Sequence, residues 1–194
     1  MIILFLSDNI SAQDNYIHRL GIEGRPGYIF PTSSFLRGEN DMRKRLSSAY
    51  SAHLKYSFQL QPGTAADLIY GSSYQGIGLG YFDFGNHRET GTPVALYAFQ
   101  GARIARICPW LSFNYEWNFG LSGGWKPYDE QYNSYNKMVG SKINAYLNAN
   151  FYLCWALSPR LSLTSGVTLT HFSNGNTSFP NAGVNTLGGK LGVE

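Results

Sequence analysis

Long apolar runs are missing from this chain of 194 residues: no stretch approaches the roughly 20 continuous apolar residues that a membrane helix needs. Helical membrane spans are therefore excluded. Charge is scarce too, at 14% of residues with a net charge of +3, and no basic block occurs. That leaves no electrostatic case for a nucleic-acid partner. The two cysteines, Cys108 and Cys154, are too few for a disulfide framework, although one bridge between them stays open. Four histidines, His18, His53, His87 and His171, are scattered without ligand spacing, so no metal and no cofactor is expected.

What is present is aromatic residues, at 15%, 22 glycines, and a persistent alternation of apolar and polar positions. From Leu111 the odd positions read Leu111, Phe113, Tyr115, Trp117, Phe119, Leu121 against Ser112, Asn114, Glu116, Asn118, Gly120, Ser122. Period two is the mark of a sheet whose two faces meet different surroundings. Similar runs span Tyr16 to Ile29, Ala52 to Leu60, Tyr74 to Asp83, Thr92 to Arg103, Ile143 to Leu157, Leu161 to Ser173 and Leu187 to Val193, which makes eight. Most are about nine to thirteen residues long, as tilted strands crossing a hydrocarbon layer must be, where soluble sheets use five or six.

The expected fold is all-β: an eight-stranded antiparallel transmembrane barrel of the outer-membrane type, with the apolar face toward lipid. A soluble barrel or sandwich with that face turned inward is the alternative. The aromatics Trp110, Trp117, Trp125, Tyr152 and Trp155 suit interfacial girdles. Arg19, Glu23, Arg25, Lys55, Glu116 and Lys190 would then face a filled interior and have to pair there. Connections alternate short and long as such barrels require, with residues 30–48, 126–141 and 174–185 long and polar, and residues 61–73 an exception. Residues 1–13, apolar at first and small near Ser11-Ala12, read as a signal-peptide remnant lacking its basic start. Residues 14–194 form one barrel domain, and the last strand ends at Glu194 without a terminal aromatic residue.

The chemistry concentrates at one point. In the seventh run, His171 and Ser173 continue the apolar face, and side chains two apart on a strand share a face about 6.5 to 7 Å apart. A histidine beside a serine is the acyl-transfer pair of base and nucleophile. The segment His171-Phe172-Ser173-Asn174-Gly175-Asn176, followed by Pro180-Asn181 and Gly183, resembles the outer-membrane lipid A 3-O-deacylase (PagL-like) family, related to acyloxyacyl hydrolases. Those enzymes carry His-x-Ser-Asn on the penultimate strand of an eight-stranded barrel. The resemblance implies a bacterial outer-membrane esterase with His171 as base and Ser173 as nucleophile, acting on lipid A of lipopolysaccharide in the outer leaflet. A homodimer is left open. It also implies Asn181, with backbone groups near Gly175 and Asn176, as oxyanion donors and Asn174 as a supporting residue. Where the family has an orienting glutamate, this chain has Asn185. Asp129 or Glu130 from the long loop is a weaker candidate for that acid, and a decayed, non-catalytic barrel with a structural or lipid-binding role is the alternative function.

Overall fold

The computed structural model describes residues 16–61 and 63–194; the signal remnant expected over residues 1–13 lies outside them. Each alternating run pairs with the next in antiparallel register, and the last pairs with the first. The strands are β1 (Tyr16–Ile29), β2 (Ser48–Leu60), β3 (Tyr74–Asp83), β4 (Gly91–Cys108), β5 (Leu111–Trp125), β6 (Asn144–Ser158), β7 (Leu161–Ser173) and β8 (Val184–Val193). β8 closes on β1 through pairs such as Gly24 with Leu191 and Tyr28 with Leu187. The β1–β8 seam, paired from Ile22 to Ile29, removes the open edge there, and a closed sheet is the form in which strands stand in hydrocarbon.

The two faces are inverted relative to a soluble barrel. Leu20 and Ile22 on β1 are 71% and 68% exposed, whereas Glu23 between their neighbours is 1% exposed and Lys190 on β8 is 0%. Apolar side chains outside and charges inside exclude the soluble alternative, because water outside would reverse that sorting.

Inside, five of the six expected charges meet. Arg25 reaches Glu23 at 2.6 Å, Lys55 bridges Glu23 at 2.9 Å and Glu116 at 2.6 Å, and Lys190 lies 2.7 Å from Glu23 and 4.0 Å over the Tyr152 ring. Lys190 Nζ meets that carboxylate outside hydrogen-bond geometry, as an ionic neighbour. Arg25 also donates to Asn148 and Tyr146, and Glu116 accepts from Asn150 and Tyr74, so amides and phenols add to the ionic contacts. Arg19 stands apart, lining a cavity of about 230 Å³ at the opposite end of the barrel from β7's last residue.

Above the charged layer, toward the last residue of β7, aromatic rings fill the barrel. Phe172 stands edge-on to Phe82 at 4.9 Å and to Trp125 at 5.1 Å between ring centroids. Trp125 and Tyr152, both 4% exposed, therefore belong to the interior and not to a lipid-facing girdle. Trp117 does face outward, at 46% exposure, whereas Trp110 sits in the turn between β4 and β5 beside the cavity that Arg19 lines.

Four connections gather at the aromatic end: residues 30–47 with α1 (Ser34–Arg37), residues 84–90 with the single-turn α3 (His87–Thr90), residues 126–143 and residues 174–183. The other end has two tight turns and residues 61–73, whose length is explained by α2 (Ala65–Ile69). There Asp67 accepts from Gly63 N–H and Ser72 Oγ, which folds the segment on itself. Cys108 and Cys154 are free thiols. β5 lies between them, with Cys108 opposite Leu111 and Cys154 opposite Ser112. Two strand spacings of about 4.8 Å exceed the roughly 7 Å limit for a disulfide, so the bridge left open by the sequence does not form.

Candidate active site

The inward anchor of the site is Phe172. It is fully buried in the aromatic layer, so the pleat must turn its neighbours His171 and Ser173 outward, where both are half-buried at the loop end of β7. Register supplies the third member. His171 stands directly opposite Asn185 on β8, and His171 Nδ1 lies 2.7 Å from Asn185 Oδ1. An amide oxygen only accepts, so His171 donates through Nδ1–H, an arrangement that in a neutral ring makes Nε2 the acceptor. Neither Asp129 nor Glu130 takes this position: the Asp129 carboxylate accepts from Gln131 and Tyr132 N–H within its own loop, and Glu130 is exposed.

Gly183 shows how closely the pair is packed. With φ at +67°, it passes so near that a Cβ built there would lie 3.4 Å from His171 Cε1 and 3.8 Å from Ser173 Cβ. The same Cβ would sit 2.9 Å from Phe172 O. Both side chains thus converge on one backbone point, held in place as Gly183 N–H donates to Met138 O and Thr32 Oγ1 donates to Gly183 O. Gly183→Ala is expected to cost about 1–3 kcal/mol of strain and to displace His171. Thermal unfolding of the variant, with its rate compared at equal folded amount, checks both parts.

The segment after Ser173 turns back through Gly175 and Asn176, with φ of +63° and +62°. Asn181 Oδ1 accepts from Asn174 N–H at 3.2 Å, and Asn181 Nδ2 donates to Asn176 Oδ1 at 3.1 Å. The structure therefore shows Asn181 as a brace across the turn, with one of its two amide N–H groups engaged. Asn174 Nδ2 donates to Ser178 O, and its Oδ1 is buried without a partner.

Beside His171 the lipid-facing surface is apolar. Leu169, Leu147, Ala149, Trp117 and Phe119 line a depression running from His171 across β6 to β5. No sequence motif marks this shelf, since its members come from three strands, but the cross-strand register Leu147 to His171 and Phe119 to Leu147 would reveal it.

A base, a hydroxyl and an apolar shelf on the outside of a barrel describe a site open to the membrane, and the family comparison agrees. Residues 48–194 match the family model described as Lipid A 3-O-deacylase (PagL). The chain belongs to the lipid A 3-O-deacylase family. As a member of that family it is a bacterial outer-membrane protein, and its substrate class is lipid A of lipopolysaccharide.

Solved structures agree on the fold. The outer membrane enzyme PagL superposes with a TM-score of 0.56 at 14% identity, covering 89% of this chain and 97% of its own. Neisserial surface protein A (NspA) gives a TM-score of 0.57 at 11% identity, covering 93% of this chain and 97% of its own. At such identities the likeness speaks for the closed barrel alone. No curated protein sequence is a significant match to the chain.

Proposed function

We propose that this lipid A deacylase removes the ester-linked acyl chain at the 3-position by serine esterase chemistry, with Ser173 as nucleophile, His171 as general base and Asn185 as the residue that orients the ring. The observation that carries the reading is the 2.7 Å contact from His171 Nδ1 to Asn185 Oδ1 on the lipid-facing side, two residues before Ser173. With Nδ1 carrying the proton, Nε2 is the basic nitrogen, available to take the Ser173 hydroxyl proton as Oγ attacks the ester carbonyl.

The collapse of the tetrahedral intermediate expels the sugar 3-oxygen, which takes the proton from His171 Nε2. Water then attacks the acyl-enzyme with His171 again as base, releasing the fatty acid and restoring Ser173. Backbone N–H groups at Gly175 and Asn176 are the donors assigned to the oxyanion, with Asn174 and Asn181 holding their turn in shape. The apolar shelf from Leu169 to Phe119 suits the departing acyl chain.

Asn185 is a neutral partner where the family pattern has a carboxylate. It fixes the ring's tautomer but gives the transient imidazolium no countercharge. Asn185→Glu is accordingly expected to raise kcat by roughly tenfold or more. Steady-state kinetics on purified protein check this, and an unchanged rate in a folded variant would remove Asn185 from the acid's position.

The test of the function itself is mass spectrometry of lipid A from cells with and without the protein. Loss of one hydroxyacyl chain is the expected result; identical spectra at full outer-membrane levels would point to the non-catalytic barrel.

A further inference from the structure

Lipid A is a phosphorylated glucosamine lipid, and a site that works on its ester must also hold an anionic headgroup. Residues 30–47 bring four exposed cations to the loop end of the barrel: Arg37, Arg43, Lys44 and Arg45. Among the described residues, no carboxylate forms an ion pair with any of them.

Arg45 differs from the other three in being fixed on the lipid-facing side. Its guanidinium donates to the Tyr28 hydroxyl and lies 5.7 Å from the centre of the Tyr28 ring. Tyr28 faces outward on β1 and stands edge-on to Phe30 at 5.7 Å, while Phe30 N–H donates to Asn185 O at 2.9 Å. Tyr28 is opposite Leu187, two residues along β8 from Asn185. Such a diagonal neighbour lies about 7–8 Å away, and His171 is one strand beyond. A sugar ring carrying a phosphate bridges a gap of that order. A guanidinium has five N–H donors in a planar fork, so those not turned to Tyr28 remain for a phosphate. The hydrogen bond to Tyr28 holds the fork in advance and reduces the entropy lost on binding.

Resting on the Ser173 esterase reading, we propose that Arg45, held by Tyr28, binds a phosphate of the substrate's own headgroup and positions the glycolipid with its ester at Ser173. Arg45 is a positioning residue: it contributes the same interaction before and during the reaction, so its loss should raise KM and leave kcat nearly unchanged.

The experiment compares purified full chain, Arg45→Ala and Arg45→Lys in uncharged detergent on lipid A and on chemically dephosphorylated lipid A. Arg45→Ala should raise KM for the phosphorylated lipid about tenfold and leave the dephosphorylated lipid unaffected. Arg45→Lys should fall between, since it keeps the charge and loses the fork. Arg160→Ala, in the turn at the far end, serves as the control and should behave as the parent. Binding of both lipids is measured as well in the Ser173→Ala background, without turnover, and the same tenfold difference is expected. Equal weakening on both lipids would overturn the proposal. So would a loss that emerges only in vesicles of anionic lipid, because the phosphate would then belong to a neighbouring molecule. A parent chain that binds phosphorylated lipid A through Arg45 yet hydrolyses neither lipid would refute the esterase and leave the phosphate contact standing.

Discussion

Ser173→Ala is expected to lower ester hydrolysis by roughly a thousandfold or more while the barrel remains folded. The asymmetry follows from where Ser173 sits. It is the last residue of β7, half-buried on the lipid-facing side, and its role in the fold is carried by backbone pairing with Ala145. Alanine keeps that pairing. What disappears is the hydroxyl proposed to receive the acyl group beside His171. His171→Ala should cause a loss of similar size, and the double variant should be no slower than either single one, because base and nucleophile act as a unit. Single-turnover acyl release, together with the heat-dependent gel mobility that reports a folded barrel, separates chemistry from folding. A folded Ser173→Ala protein that still strips the acyl chain would sink the assignment and direct attention to another nucleophile.

The strands were legible because lipid outside and a polar lumen inside impose the same period on all eight. Residue type misleads where position along the strand decides. Tyr152 falls on the inward parity of β6, and its aromatic character alone suggested a girdle; the lumen is itself packed with aromatic rings. Trp125 shares odd parity with the outward Trp117 but points inward. Between Gly91 and Val94 the β4 ladder slips against β5, and Gly124 takes a φ of +89°. That irregularity turns the strand over within three residues, and only the pairing reveals it.

The site was partly legible for a similar reason. His171 and Ser173 share a face by spacing within one strand, which a sequence displays directly. Asn185 reaches His171 across strands, and that register depends on how residues 174–183 fold, with Asn181 bracing the turn and Gly183 passing close behind both side chains. The family resemblance implies that partner for His171, and the β7–β8 ladder sets the two residues opposite each other. The interior charges followed the same divide: their inward direction was readable, but the partners were not. Arg25 meets Asn148 across the lumen from 123 residues away, a contact no local pattern encodes.

That lumen is where the largest stability effect is expected. Glu23→Leu should destabilise the barrel by about 3–5 kcal/mol, the usual result of removing one partner from a buried ionic set. Glu23 is shared by three cations, Arg25, Lys55 and Lys190, each within 2.9 Å. Without it, Glu116 alone faces all three, and it lies 3.8 Å from Arg25. Desolvated charge without a counterion costs far more than the lost attraction. Glu23→Gln should lose less, because the amide oxygen still accepts one of the N–H groups. Lys190→Met should recover part of the deficit when combined with Glu23→Leu: it removes one of the surplus cations, and its flexible apolar chain fits over the Tyr152 ring. Denaturant unfolding in detergent micelles, run as a double-mutant cycle, measures each term. Additive losses would mean that Lys190 does not depend on Glu23 and that the ring of Tyr152 suffices to hold it. A coupling of 1 kcal/mol or more, on the order typical for contacting residues, is the result expected of a charge set that holds the barrel as one network.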